Sequence, residues 1–132
     1  MTRKIPNIAD IDFLTQKINE ETPEYGKVVP FGFFNRNEQG EIIAGASGFV
    51  LYGAIYTDQL WVKKRYRRQG LARELMKKVH DFGKEQGCTM ATVQTMSFQN
   101  AVGFYKNLGY TQDFERSGHI KNSSYIFLSK SL

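Results

Sequence analysis

Along residues 7 to 21 (NIADIDFLTQKINEE), apolar side chains fall at Ile8, Ile11, Leu14 and Ile18, three and four positions apart. That spacing predicts an amphipathic helix, with Asn7 after Pro6 as its N-cap. Thr22 to Lys27, holding Pro23 and Gly26, reads as a loop. Val28 to Arg36 is apolar and aromatic, hence a strand, with Pro30 near its start. The turn cluster NRNEQG at 35 to 40 separates it from a second strand, Glu41 to Tyr52, which has Gly45 and Gly48 inside it. A third strand runs from about Ala54 to Lys63. Three strands joined by short turns make an antiparallel meander.

The period then changes. Between Gly70 and Gln86, Leu71, Leu75, Met76, Val79 and Phe82 form a stripe at helical spacing, closed by Gly87. Cys88 to Met96 returns to Thr, Val and Met and predicts a strand. Gln99 to Leu108 predicts a short helix ended by Gly109. Tyr110–Glu115 and Tyr125–Lys130 are closing strands with a polar loop between them. The order is α-β-β-β-α-β-α-β-β. A right-handed crossover would set strand 54–63 parallel to strand 88–96. The expected class is α+β, with a mixed sheet flanked by helices.

The 132 residues, 41% hydrophobic, suit one domain over 1–132 with its own core. No run approaches the length of a membrane span, and MTRKIPNIADIDF lacks the apolar stretch of a secretory leader. The single cysteine, Cys88, forms no internal disulfide and makes no cysteine zinc site. These features predict a protein of the reducing cytoplasm, with no membrane partner. Two histidines without ligand spacing predict no metal.

Charge adds a local feature. Residues 63 to 78 hold eight cations against one acid, a net +7, while the other 116 residues net −2 with ten basic against twelve acidic side chains. A local excess calls for a local anionic partner. The block sits in LWVKKRYRRQGLAR, residues 60 to 73: an apolar strand, a basic turn, a glycine, then a helix start. The first N–H groups of a helix lack internal acceptors and carry the positive end of its dipole. Gly70 would let a phosphate approach the backbone, Ala72 keeps the next turn small, and Arg67, Arg68 and Arg73 add charge. The segment is neither a P-loop nor a dinucleotide fingerprint.

Arg67-Arg68-Gln69-Gly70-Leu71-Ala72 resembles the [RQ]-x-x-G-x-[GA] signature of the GNAT superfamily of acyl-CoA-dependent N-acetyltransferases. Leu60-Trp61-Val62 and Phe104-Tyr105-Lys106-Asn107-Leu108-Gly109-Tyr110 resemble that family's cofactor strand and FYxxLG[FY] segment. The resemblance covers roughly residues 41 to 130. It implies a twisted mixed sheet and acetyl-CoA as co-substrate. By the same resemblance, main-chain groups of Leu60 and Val62 hold the pantetheine arm, with Trp61 between them. The turn and helix start, from Arg67 through Gln69, Gly70, Leu71 and Ala72 to Arg73, hold the diphosphate. Tyr105 faces the leaving sulfur, where a phenol would protonate a thiolate. The Val62 N–H is an oxyanion donor candidate. Two positions depart from the pattern. Ala72 stands where a second glycine is commoner. Phe98 stands where the family often has a pantetheine-binding asparagine, leaving Gln99 or Asn100 as substitutes.

For the acceptor, Asp58 is the only acid on strand 54–63, and simple alternation places it on one face with Leu60 and Val62. It is the candidate base or amine anchor, with Glu41 and Glu115 behind it. Phe33, Phe34, Tyr52 and Tyr56 on the meander, and His119 in the loop RSGHIKNSS, are candidate pocket residues, although strand aromatics more often fill a core. His80, next to Val79, is expected near the surface. The reading is an N-acetyltransferase for a small-molecule or peptide amine, with a homodimer compatible with so short a chain. Two alternatives remain: a nucleic-acid-binding module built on the 63–78 block, and an acyl-CoA sensor without catalysis.

Overall fold

The computed structural model describes residues 5–132. Helix α1 (Ile8–Glu21) starts at Asn7, whose side chain accepts the Ala9 N–H at 2.8 Å. Strands β1 (Val29–Arg36), β2 (Ile42–Leu51) and β3 (Ala54–Val62) form the antiparallel meander. Helix α2 (Leu71–Glu85) crosses to β4 (Met90–Met96), which runs parallel to β3. Helix α3 (Val102–Asn107) leads to the hairpin β5 (Thr111–His119) and β6 (Ser123–Ser131). The six strands lie in the order β1-β2-β3-β4-β6-β5. This is the mixed α+β sheet expected, with the parallel pair where the crossover rule puts it.

The core lies under α2. Leu75, Met76 and Val79 are buried against Ala44, Ala46, Ile55 and Val93 of the sheet. Phe31 and Phe33 of β1 reach the same layer, with ring centroids 6.1 and 6.0 Å from Phe82. Gly83 lets α2 sit close, since a Cβ there would meet the Ile55 side chain at 2.7 Å.

Four features differ from the sequence reading. Helix α3 begins later, because Ser97–Gln99 forms a 3-10 turn and Asn100 adopts a left-handed conformation. The polar loop before β6 shrinks to the turn Ile120–Asn122, as β5 continues through residues that carry no apolar alternation. The stripe of α1 is not buried: Ile8, Ile11, Leu14 and Ile18 are all exposed. Polar bonds tether that helix instead, with Asn19 donating to the Val28 carbonyl at 3.3 Å and accepting its N–H at 2.8 Å.

His80 is the fourth difference. It is buried, with Nε2 at 2.7 Å from the Tyr110 hydroxyl. Burial, with Lys130 and Lys84 nearby, lowers its pKa to about 4. An unfolded histidine titrates near 6.5, so the unfolded chain takes up the proton first as pH falls. Stability is therefore expected to be level above about pH 6.5 and to drop by on the order of 3 kcal/mol on approaching pH 4. Urea unfolding from pH 7 to 4 checks this, and His80→Phe should flatten the slope.

Candidate active site

The central feature is a gap in the sheet. Strands β3 and β4 pair from Ala54–Met90 to Thr57–Val93 and then part. Beyond that point β3 stays with β2 as far as Val62, and β4 stays with β6 as far as Met96. The parting begins at a bulge. Ser47 faces Gln59 and Gly48 faces Thr57, so Asp58 is an extra residue with no partner on β2. Only glycine fits opposite it, since a Cβ at Gly48 would run into the Tyr56 carbonyl oxygen.

The bulge reverses the alternation of β3. Thr57 pairs with Gly48, and Leu60 and Val62 pair with Ala46 and Ala44, all on the α2 face. Asp58 instead turns to the other face, where the Tyr56 hydroxyl donates to its Oδ1 at 3.3 Å. The expectation that Asp58 shares a face with Leu60 and Val62 is therefore corrected: a strict two-residue period does not survive an inserted residue.

Hydrogen-bond phase decides which main-chain groups are free. The Lys63 N–H donates to the Ile43 carbonyl at 2.7 Å, and the register continues through Gly45–Trp61 and Ser47–Gln59. In an antiparallel pair the alternate residues point their N–H and C=O away from the partner. Leu60 and Val62 thus offer theirs to the gap. The Val62 carbonyl is already taken by Arg67 Nε at 2.8 Å, which leaves its N–H for a ligand.

At one end of the gap stands α2. Gly70 is its N-cap, with φ +85° and no side-chain cap, and the first internal bond is Glu74 N–H to the Gly70 carbonyl. The N–H groups of Leu71, Ala72 and Arg73 therefore lack helical acceptors. Arg68 is also left-handed, at φ +64°. Such a turn presents successive amides to one point and suits a diphosphate.

A cavity of about 980 Å³ joins these parts. Its walls include Gly70 to Arg73 at the basic end and Leu60, Val62, Thr95, Asn100 and Tyr105 along the gap; Asp58 and Tyr125 lie at the far end. Trp61, Arg67 and Arg68 also line it, whereas Gln69 does not. Gln99 also lines it, but its side-chain oxygen is taken, accepting the Met96 N–H at 2.8 Å and the Thr95 hydroxyl at 3.2 Å. Asn100 lines it too, without a side-chain bond of that kind. Among the described residues, no three His, Cys, Asp or Glu side chains gather as a metal cage, and no helix is long and apolar enough to cross a membrane.

Tyr105 is buried on α3, its ring edge-on to Phe104 and Tyr110 at 5.2 and 5.5 Å. Burial pushes its phenol up to about 12, so it keeps its proton at neutral pH. Tyr56 is pushed higher still by burial, then by the Asp58 carboxylate and the Tyr125 phenol beside it.

None of the five pocket candidates lines the cavity, although Tyr56 bonds to Asp58, which does. Phe33 belongs to the α2 core, because its partner Ala46 is on that face. Tyr52 sits in the β2–β3 turn, at the opposite end of β3, with its hydroxyl 3.4 Å from that of Thr22. His119 is half-buried, edge-on to Tyr125 at 5.7 Å, with Nδ1 buried and unpartnered. Phe34 is exposed on the face away from α2. Glu115 accepts the Ser124 hydroxyl at 2.7 Å. Sequence reasoning missed Tyr125, Gln94 and Thr57, which line the cavity; the Thr57 hydroxyl is buried without a partner. Only the pairing of β4 with β3 and β6 brings them there.

Known acetyltransferases resemble this chain in sequence and in fold. A blasticidin-S acetyltransferase of Streptomyces morookaense is 36% identical over 74 residues, 55% of this chain and 54% of that protein. A thialysine N-epsilon-acetyltransferase of Sus scrofa is 32% identical over 65 residues, 48% and 38% of the two chains. The chain thus spans about half the length, or less, of these curated relatives. An acetyltransferase structure from Bacillus cereus superposes with a TM-score of 0.77 at 24% identity, covering 100% of this chain and 98% of that one. A structure described as a streptothricin acetyltransferase from Bacillus anthracis, in complex with acetyl coenzyme A, gives 0.71 at 18% identity, covering 83% and 67%. At these identities the structures establish the fold. The model of the acetyltransferase (GNAT) family matches residues 5–110, across β3, the basic turn, α2 and α3, and the chain belongs to that family.

Proposed function

We propose that this chain transfers the acetyl group of acetyl-CoA directly to a primary amine of a small molecule. The observation that carries the reading is the cavity running through the β3–β4 gap, with the basic N-terminus of α2 at one end and Asp58 at the other. One co-substrate enters from each end, and Tyr105 stands between them.

The roles follow from chemistry. The amides of Leu71 to Arg73 bind the diphosphate, and the free edge of β3 binds the pantetheine amides as an added strand would. Asp58, oriented by Tyr56, anchors the incoming ammonium and takes its proton. As the amine attacks the thioester carbonyl, the Val62 N–H donates to the developing oxyanion. Tyr105 gives its proton to the departing sulfur. The matched relatives named for blasticidin S and thialysine, both small molecules, favour a small acceptor over a protein.

The test is a titration with coenzyme A followed by an amine panel read by free-thiol release. Micromolar binding and amine-dependent thiol release are expected. Duplex DNA bound at about 0.15 M salt with coenzyme A ignored would sink the reading.

A further inference from the structure

We propose that the acceptor is a small zwitterion, a primary amine that also carries an anionic group, seated between Asp58 and Arg116. The inference rests on the acetyl-transfer reading above and concerns the far mouth of the same cavity.

Tyr125 of β6 lines that mouth, beside Tyr56 and Asp58. Directly across the hairpin from Tyr125 lies Arg116 of β5. Opposed residues of an antiparallel pair share a face, with Cβ atoms about 4.5–5.5 Å apart. Arg116 is therefore on the Asp58 side of the sheet, beside the cavity-lining Tyr125 and just outside the cavity wall itself. An aromatic floor connects the two charges. Tyr125 is 5.2 Å from Phe127, and Phe127 stacks on Phe114 at 4.3 Å. The Arg116 guanidinium rests over Phe114 at 5.8 Å.

Among the described residues, no acid pairs with that guanidinium. Among the described residues the ion pairs are Lys17–Glu20 and Lys77–Asp81. The acids beside Arg116 on its own strand are engaged otherwise: Asp113 accepts the Ser129 hydroxyl at 2.8 Å, and Glu115 pairs with Ile126 on the opposite face. An exposed guanidinium that makes no ion pair among the described residues is suited to a carboxylate or phosphate oxygen pair. A polyamine would set a second cation against it, which is the repulsive half of a specificity device.

Matched amine pairs test the claim, with acetyl-CoA as donor and thiol release as readout. Lysine is set against pentane-1,5-diamine, and 6-aminohexanoate against hexylamine. The carboxylated member should be preferred by about tenfold or more in kcat/KM. Arg116→Gln should abolish the preference by raising KM for the carboxylated member alone, with coenzyme A affinity and hexylamine turnover unchanged. Equal or reversed preference, or a preference that survives Arg116→Gln, would overturn the proposal. It also falls if coenzyme A binds and no member of any pair is turned over. Failure of coenzyme A itself to bind would instead remove the acetyl-transfer reading, and this proposal with it.

Discussion

Gly70→Glu is expected to weaken coenzyme A binding by at least about a hundredfold while leaving the protein folded. Gly70 sits at φ +85°, a conformation that costs an L residue about 1–2 kcal/mol, yet a Cβ there meets no atom within 4 Å. The new side chain therefore adds modest strain and no clash. A carboxylate at a helix N-terminus also interacts favourably with the dipole, which offsets part of that strain. The same carboxylate, however, would stand before the amides of Leu71, Ala72 and Arg73 and repel a diphosphate. Titration calorimetry of coenzyme A, with circular dichroism as the fold control, measures the effect. Gly70→Ala separates strain from charge and should cost little affinity. S-acetylpantetheine, which lacks the diphosphate, should bind the wild type and Gly70→Glu alike. Full coenzyme A affinity in Gly70→Glu would mean that the diphosphate rests elsewhere.

Tyr105→Phe is expected to lower kcat by about a hundredfold or more, the usual worth of a positioned proton donor, with coenzyme A affinity little changed. The ring stays packed against Phe104 and Tyr110, so the substitution removes one hydroxyl and no volume that the core needs. With the phenol held near 12, the wild type keeps its donor throughout the neutral and mildly alkaline range. Any loss of rate below about pH 10 must then arise from another group. Steady-state kinetics beside a coenzyme A titration distinguishes the outcomes. Equal falls in affinity and rate would assign the hydroxyl to binding, and an unchanged kcat would remove Tyr105 from the chemistry.

Much of this site is legible in the one-dimensional pattern because its parts are local. The Gly70 cap, the unpaired amides after it and the basic turn occupy one stretch of chain. Helix α2 shows its period plainly and the parallel return of β4 follows from the crossover, whereas β3 reads as a strand but hides its bulge. What the sequence conceals is relational. The α1 stripe has the right spacing, but spacing says which residues share a face and not what that face meets. Phe33 and Tyr56 lie on strands of similar composition to either side of β2; one faces α2 and the other faces Asp58. His80 looks like a boundary residue until Tyr110, thirty positions away, supplies its partner. Arg116 falls in a stretch with no apolar alternation, and only its register with Tyr125 places it near the mouth.

The inserted residue at Asp58 has a consequence for anyone reshaping this protein. Deleting it would subtract an acid and straighten the strand, since Gln59 would then follow Thr57 just as Ser47 adjoins Gly48 opposite them. Leu60 and Val62 would keep their face and their partners Ala46 and Ala44, but the kink at which β3 leaves β4 would go. Removing a regularly paired residue such as Gln59 while keeping Asp58 is a different operation from removing the bulge, and libraries built on this scaffold should treat the bulge as a unit that sets the width of the cleft.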